Sequence, residues 1–167
     1  MWIKPKFDGI LPELKGVPNW VLAKEVLRDG KTTKPPYQPN GKPASHSDAR
    51  TWSTFAIVKE AYERGGYIGV GFVLDGKPHF DGRYLHGFDW DHCIGEGYVS
   101  DPDVDAAIKK LSMPRIEISV SGTGIRGFFL HDKLLASRRT QIAGRSVELY
   151  SIDRYMTTTG VGKGMLS

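Results

Sequence analysis

The alternation of apolar and polar positions divides the chain into short strands and two amphipathic helices. WVLA (20–23) is an apolar run of strand length, closed by the turn signal RDGK. KTTKPPYQPNGKPASHSD follows, rich in Pro, Gly, Ser and Asn and without a period, so it reads as a loop carrying Lys31, Lys34 and Lys42. Loops of this length inside compact domains are usually functional or disordered. Trp52, Phe55, Val58 and Tyr62 fall at helical spacing, a core-facing stripe that Gly65 and Gly66 end. YIGVGFVL (67–74) is a strand with one face bare at Gly69 and Gly71, where a backbone or ligand can come close. DGKPHFDGRY is a hairpin-like connection into the strand LHGFDWD, and HCIGEGYVS is a loop.

Asp101 is positioned as an N-cap with Pro102 at the first helical residue. Val104, Ala107, Ile108 and Leu111 then form one helical face, and Pro114 ends it. RIEISV and IRGFFL are strands joined by the tight turn SGTG. DKLLASRRTQIAG is mixed and basic, and SVELYS and RYMTTTG are the last strands. A helix set between strands and followed by a hairpin predicts an α+β domain with a mainly antiparallel sheet, whose second half fits a ferredoxin-like or RRM-like unit.

The strand LHGFDWD carries an anomaly. Asp is depleted in strands, yet Asp89 and Asp91 occur at i and i+2 and so share a face, opposite Phe88 and Trp90. Same-face neighbours lie roughly 7 Å apart, close enough to repel unless a cation sits between them or one stays protonated. The spacing suits joint coordination of a hard divalent ion such as Mg²⁺; a solvated polar face and a structural ion pair are the alternatives. Glu148, an acid inside the apolar run SVELYS, is a candidate third ligand. Glu117 is a weaker candidate, because its alternation with Ile116 and Ile118 fits an exposed position.

SVSGTGIRG supplies further candidates. Gly122 and Gly124 free the backbone, Ser121 and Thr123 add hydroxyls, and the amides between them can form an anion-binding concavity. A plain Gly-rich hairpin is the other reading. It is not a P-loop, since no GK[ST] follows. Arg126 follows the turn as a permanent, forked cation suited to phosphate, and RYMTTTG adds Arg154. Three acids for metals, with Lys34, Arg126 and Arg154 for phosphates, fit nucleotide chemistry.

Charge and composition narrow the field modestly. The 167 residues fit one domain, or one with a small lobe, and the net charge of +4 permits a polyanionic partner without demanding one. The single cysteine, Cys93, excludes an internal disulfide and a multi-Cys zinc site, and implies a reducing compartment. No apolar run approaches the roughly 18 residues of a membrane span. The N-terminus lacks the apolar stretch of a signal peptide, so a cytoplasmic protein without membrane contact is expected.

In order, NWVLAK, KPPYQPNGKPASHSDARTWSTF, IGVGFVL, GFDWDHC, EISVSGTGIRGFF, VELYSIDRY and TTTG resemble the catalytic domain of phage- and plasmid-type primase–polymerases, within the archaeo-eukaryotic primase superfamily. The resemblance covers roughly residues 18 to 160 and lies in the ordered combination. It implies one catalytic domain over 1–167: a small N-terminal α/β lobe (about 1–80), an RRM-like palm (about 81–167) and an active-site cleft between them. It implies that Asp89, Asp91 and Glu148 bind two Mg²⁺ or Mn²⁺ ions. It also implies that Lys34, Ser121 through Arg126, Arg154 and Thr159 of the closing Thr-Gly contact the triphosphate or template. The implied activity is template-directed nucleotidyl transfer with dNTPs or NTPs on single-stranded or primed DNA. The rivals are a non-catalytic nucleic-acid or nucleotide-binding replication module and a metal-dependent nuclease.

Two departures from the family pattern stand out. Arg126 occupies the usual position of a histidine; it can still bind phosphate but cannot donate a proton near neutral pH. Priming members usually continue into a helical subdomain, often into a helicase, so extension is expected of this chain more than initiation, with a helicase domain or protein as a possible partner.

Overall fold

The structure, a computed structural model, describes residues 1–95, 101–110 and 116–162. Its elements are α1 (Pro12–Lys15), β1 (Trp20–Ala23), β2 (Val26–Arg28), β3 (Lys31–Thr33), β4 (Pro36–Tyr37), α2 (Phe55–Glu63), β5 (Gly69–Asp75), β6 (Pro78–Phe80) and β7 (Arg83–Trp90). Then follow α3 (Pro102–Lys110), β8 (Ile116–Ile118), β9 (Ile125–His131), β10 (Arg138–Ile142), β11 (Arg145–Tyr150) and β12 (Ile152–Thr158). The architecture is α+β with antiparallel pairing throughout.

One sheet runs β12–β5–β1–β4; the other runs β10–β11–β7–β9–β8, with β6 hairpinned onto β7. Sheet membership does not divide the chain near residue 80, because the last strand, β12, returns to pair with β5. The stretch after residue 30, which reads as loop, contains β3 and β4. Both are too short to show a hydrophobic period, and β4 is held by pairing to β1.

The helices form where local chemistry places them. Thr54 caps α2, and the buried Val58 and Ala61 pack it beside Trp20, which lies edge-on to Phe55 and Phe72 at centroid distances of 4.8 and 5.3 Å. Asp101 caps α3 by accepting from the Asp103 amide at 2.9 Å. Val104 is buried with Ala107 and Ile108 packed beside it, while Leu111 and Pro114 lie outside the described residues. No helix among the described residues is long and apolar enough to cross a membrane.

Strand β7 divides two cores. Phe88 and Trp90 join Ile118, Ile125, Val147 and Val104 on the α3 side. Leu85 joins Phe128, Leu74 and Met156 on the side facing the other sheet. By the two-residue period Asp89 points the same way as Leu85, into the space between the sheets.

Candidate active site

Strand register assembles the site. Arg139 on β10 pairs with Glu148 on β11, Glu148 with Asp89 on β7, Asp89 with Arg126 on β9, and Arg126 with Glu117 on β8. Directly opposed residues share a face, so five charged side chains form one row across the sheet, with two acids side by side at its centre. Asp89 is 7% exposed. Burial of this kind is tolerated only with a compensating charge, and Arg126 supplies it: Nε and Nη2 donate to the two carboxylate oxygens at 2.9 and 2.7 Å. Arg126 also donates to the carbonyl and hydroxyl of Thr157. Burial lowers the Arg126 pKa, but the Asp89 carboxylate outweighs it and holds the guanidinium above its ordinary value.

Glu148 is held differently. It accepts from Arg139 Nε at 2.7 Å, from Arg139 Nη2 and from the Tyr150 hydroxyl. β7 ends at Trp90, so Asp91 is the first residue beyond the strand and is exposed. Among the described residues no hydrogen bond or ion pair engages it. Burial and then the Asp89 charge raise the Asp91 pKa, with Glu148 adding to the effect. Asp91 therefore feels the charge of both other acids. Among the described residues, no group of three or more His, Cys, Asp or Glu side chains is already gathered to hold a metal ion.

A cavity of about 210 Å³ opens beside the row, lined by Pro36, His46, Asp89, Arg126, Tyr150, Arg154, Tyr155 and Met156. Arg154 lies over the Tyr150 ring at 4.5 Å from its centroid. Lys34 is half-buried, and its ammonium is within electrostatic reach of Arg126, Asp89 and Asp91; burial and then Arg126 lower its pKa. The Lys34 carbonyl accepts from the Tyr155 hydroxyl. Gly71 makes this possible: a Cβ there would fall 2.6 Å from the Tyr155 ring. The bare face of β5 thus accommodates a tyrosine that fixes the lysine segment.

The glycine turn abuts the end of β7, where the Ile94 amide donates to the Thr123 carbonyl at 3.1 Å. Its hydroxyls form a chain, Ser119 to Ser121 at 3.0 Å and Ser121 to Thr123 at 3.1 Å. The Gly122 and Gly124 amides donate within the turn, to the carbonyl and hydroxyl of Ser119. The anion-binding concavity expected here is therefore closed at two of its amides.

Two expectations are corrected. Glu117 is not on an exposed face. It is 9% exposed and accepts from Thr158 Oγ1, the Thr159 amide and the Gly160 amide at 2.7, 3.0 and 2.9 Å. Thr159 does not reach the cavity; it is buried and its hydroxyl donates to the Ile118 carbonyl at 2.6 Å. The sequence reading also passed over Arg139, Tyr150, Tyr155 and His46. For Arg139 the signal was hidden: the two-residue turn that sets it opposite Glu148 is Ala143–Gly144, with an alanine at positive φ. For His46 there was none, since only the fold of its loop brings it to the cavity.

No family model matches the chain. Over 145 residues it is 32% identical to the DNA primase-polymerase of Nitratiruptor phage NrS-1. The match takes in 84% of this chain and 19% of that protein, so the chain spans about a fifth of the relative's length.

Proposed function

We propose that the chain is a nucleotidyl-transfer module of the primase–polymerase type, extending a nucleic-acid strand in DNA replication. The observation that carries the reading is the strand register placing Glu148 beside Asp89, with Asp91 two residues further on, against a cavity bordered by Arg126 and Arg154. The similarity to a phage DNA primase-polymerase supports it. The sheet order β11–β7–β9–β8, with α3 between β7 and β8, supports reading that sheet as an RRM-like palm, the fourth, first, third and second strands of such a unit. In chain order β10 takes the place of that unit's second helix, and it extends the sheet beside β11.

The donor set fits a hard divalent ion. Three carboxylates offer only oxygen, and the raised Asp91 pKa marks charge that a cation would relieve. Asp89, Asp91 and Glu148 would hold Mg²⁺ or Mn²⁺, which would supply Lewis acidity toward the attacking hydroxyl and the leaving pyrophosphate. Arg126 and Arg154 bind phosphate oxygens, as forked permanent cations do. Lys34, whose backbone carbonyl Tyr155 holds, adds a point charge within electrostatic reach of Asp89, Asp91 and Arg126. Proton transfer to the leaving group does not fall to Arg126, which keeps its protons.

One observation favours a second reading. Asp89 is satisfied by Arg126, as it would be in a binding module whose acids are structural. Extension of a labelled primer–template with dNTPs or NTPs and Mg²⁺ or Mn²⁺, beside an Asp89→Ala/Asp91→Ala control, separates the two. Metal-dependent extension that the control lacks supports the enzyme. Intact, bound DNA without extension supports the binder, and degraded DNA supports a nuclease.

A further inference from the structure

The hairpin formed by β2 and β3 belongs to neither large sheet. Among the described residues its two strands pair only with each other: Val26 with Thr33, Leu27 with Thr32, Arg28 with Lys31. Asp29 and Gly30, both with positive φ (49° and 74°), make the two-residue turn at its tip. The ribbon buries little. Leu27 is 72% exposed, and Arg28, Lys31 and Thr32 are exposed with it. An isolated two-stranded hairpin is at best marginally stable in water, so core packing does not account for it.

The charge pattern is also unfavourable in isolation. Arg28 and Lys31 are directly opposed cross-strand partners, and like charges there are destabilising. Among the described residues no acid forms an ion pair with either; Asp29 lies between them at the tip. Residues 24–34 hold Lys24, Arg28, Lys31 and Lys34 against Glu25 and Asp29. A paired cationic position on an exposed ribbon is complementary to adjacent phosphates.

The root of the ribbon lies at the site. Lys34 follows β3 directly and reaches the electrostatic field of Asp89 and Asp91. At the other root, Glu25 accepts from Trp2 Nε1 at 2.9 Å, and Lys34 Nζ lies 5.4 Å from the Trp2 ring centroid. The ribbon is thus anchored on both sides, and a strand leaving the cavity past Lys34 would meet it.

We infer that the Val26–Thr33 ribbon grips the phosphate backbone of the nucleic-acid strand engaged by the cavity, with Arg28 and Lys31 as the phosphate contacts. The inference rests on the proposed nucleotidyl-transfer reading, whose strand it places.

The test is binding of a fluorescent primer–template by anisotropy across a salt series, for the full chain and for Arg28→Ala/Lys31→Ala. Removing two phosphate contacts should lower affinity on the order of tenfold at 0.1 M salt and flatten the log–log salt slope by about 1.5. Melting temperature should hold, because neither side chain packs in a core. Arg28→Lys/Lys31→Arg should restore both affinity and slope, which a structural role would not require. Unchanged affinity and slope in the alanine variant would overturn the ribbon assignment while leaving the cavity reading intact. Failure of the unaltered chain to bind primer–template would overturn both. Weakened binding to anionic lipid vesicles with DNA binding unchanged would assign the ribbon to a membrane surface and overturn the inference.

Discussion

Asp89 and Glu117 flank the same arginine in the same row, and both are buried. Their partners differ in kind. Glu117 accepts from one hydroxyl and two backbone amides belonging to Thr158, Thr159 and Gly160. Those donors belong to the segment that closes the chain onto β8, so Glu117 is a knot. Asp89 is held by a single long side chain. A guanidinium on a flexible stem can move to a phosphate, whereas a backbone amide cannot leave its strand. One position is therefore built for permanence and the other for exchange, although a strand pattern presents both as an acid between apolar neighbours.

The comparison breaks most visibly on activity. Asp89→Asn should reduce metal-dependent incorporation on the order of a thousandfold or more, the scale for a group acting on developing charge. Steady-state primer extension measures it. Glu117→Gln should act on stability instead. Mispairing a buried acceptor that serves three donors should cost about 3 kcal/mol in urea unfolding, and the folded fraction should keep most of its activity. If the two variants exchanged these phenotypes, the division between knot and exchangeable ligand would be wrong.

A smaller effect sharpens the contrast with the far face of the same strand. His86 is buried, stacks on Phe129, and accepts from the Leu135 amide through Nε2 at 3.0 Å. Nδ1 therefore carries the proton, directed at the Tyr84 carbonyl 3.1 Å away. Burial lowers its pKa below 6.5, and His131 adds to this. The folded state thus binds this proton less readily than the unfolded chain. The stability that neutral His86 contributes is whole above about pH 6.5 and is lost as pH falls through the folded value. Urea midpoints between pH 7.5 and 5 should fall for the unaltered chain and fall less for His86→Asn.

Much of this was legible in the sequence because it is local. The Asp101 cap, Phe55, Val58 and Tyr62 of α2, Val104, Ala107 and Ile108 of α3 and the apolar run of β5 follow from spacing alone, while Trp52 falls before α2. Asp89 and Glu148, which β7 and β11 bring side by side, stood out as acids in apolar strands, whereas Asp91 falls just beyond β7. Their partners did not, because register across β10, β11, β7, β9 and β8 decides which charges meet. Glu117 shows the limit: alternation says which face a residue occupies, while the returning Thr-Gly segment decides whether that face is wet. Ala143–Gly144 turns β10 into β11 with an alanine at positive φ (51°), where Asn or Asp would have announced a hairpin. β3 and β4 are too short to carry any period.

The most direct test of the central claim is Mn²⁺ binding, read by electron paramagnetic resonance, to the unaltered chain and to Asp91→Asn. Asp91 lies just beyond β7, makes no ion pair among the described residues, and has a pKa raised by partial desolvation of its carboxylate and by Asp89. Its charge works against the fold: its contribution is most favourable below pH 3.8 and is lost as pH rises through the folded value. Asp91→Asn should therefore melt at the same temperature as the unaltered chain or higher, while binding Mn²⁺ at least tenfold more weakly. Equal Mn²⁺ affinity in both proteins would contradict the account and leave Asp89 and Glu148 as partners of arginine alone.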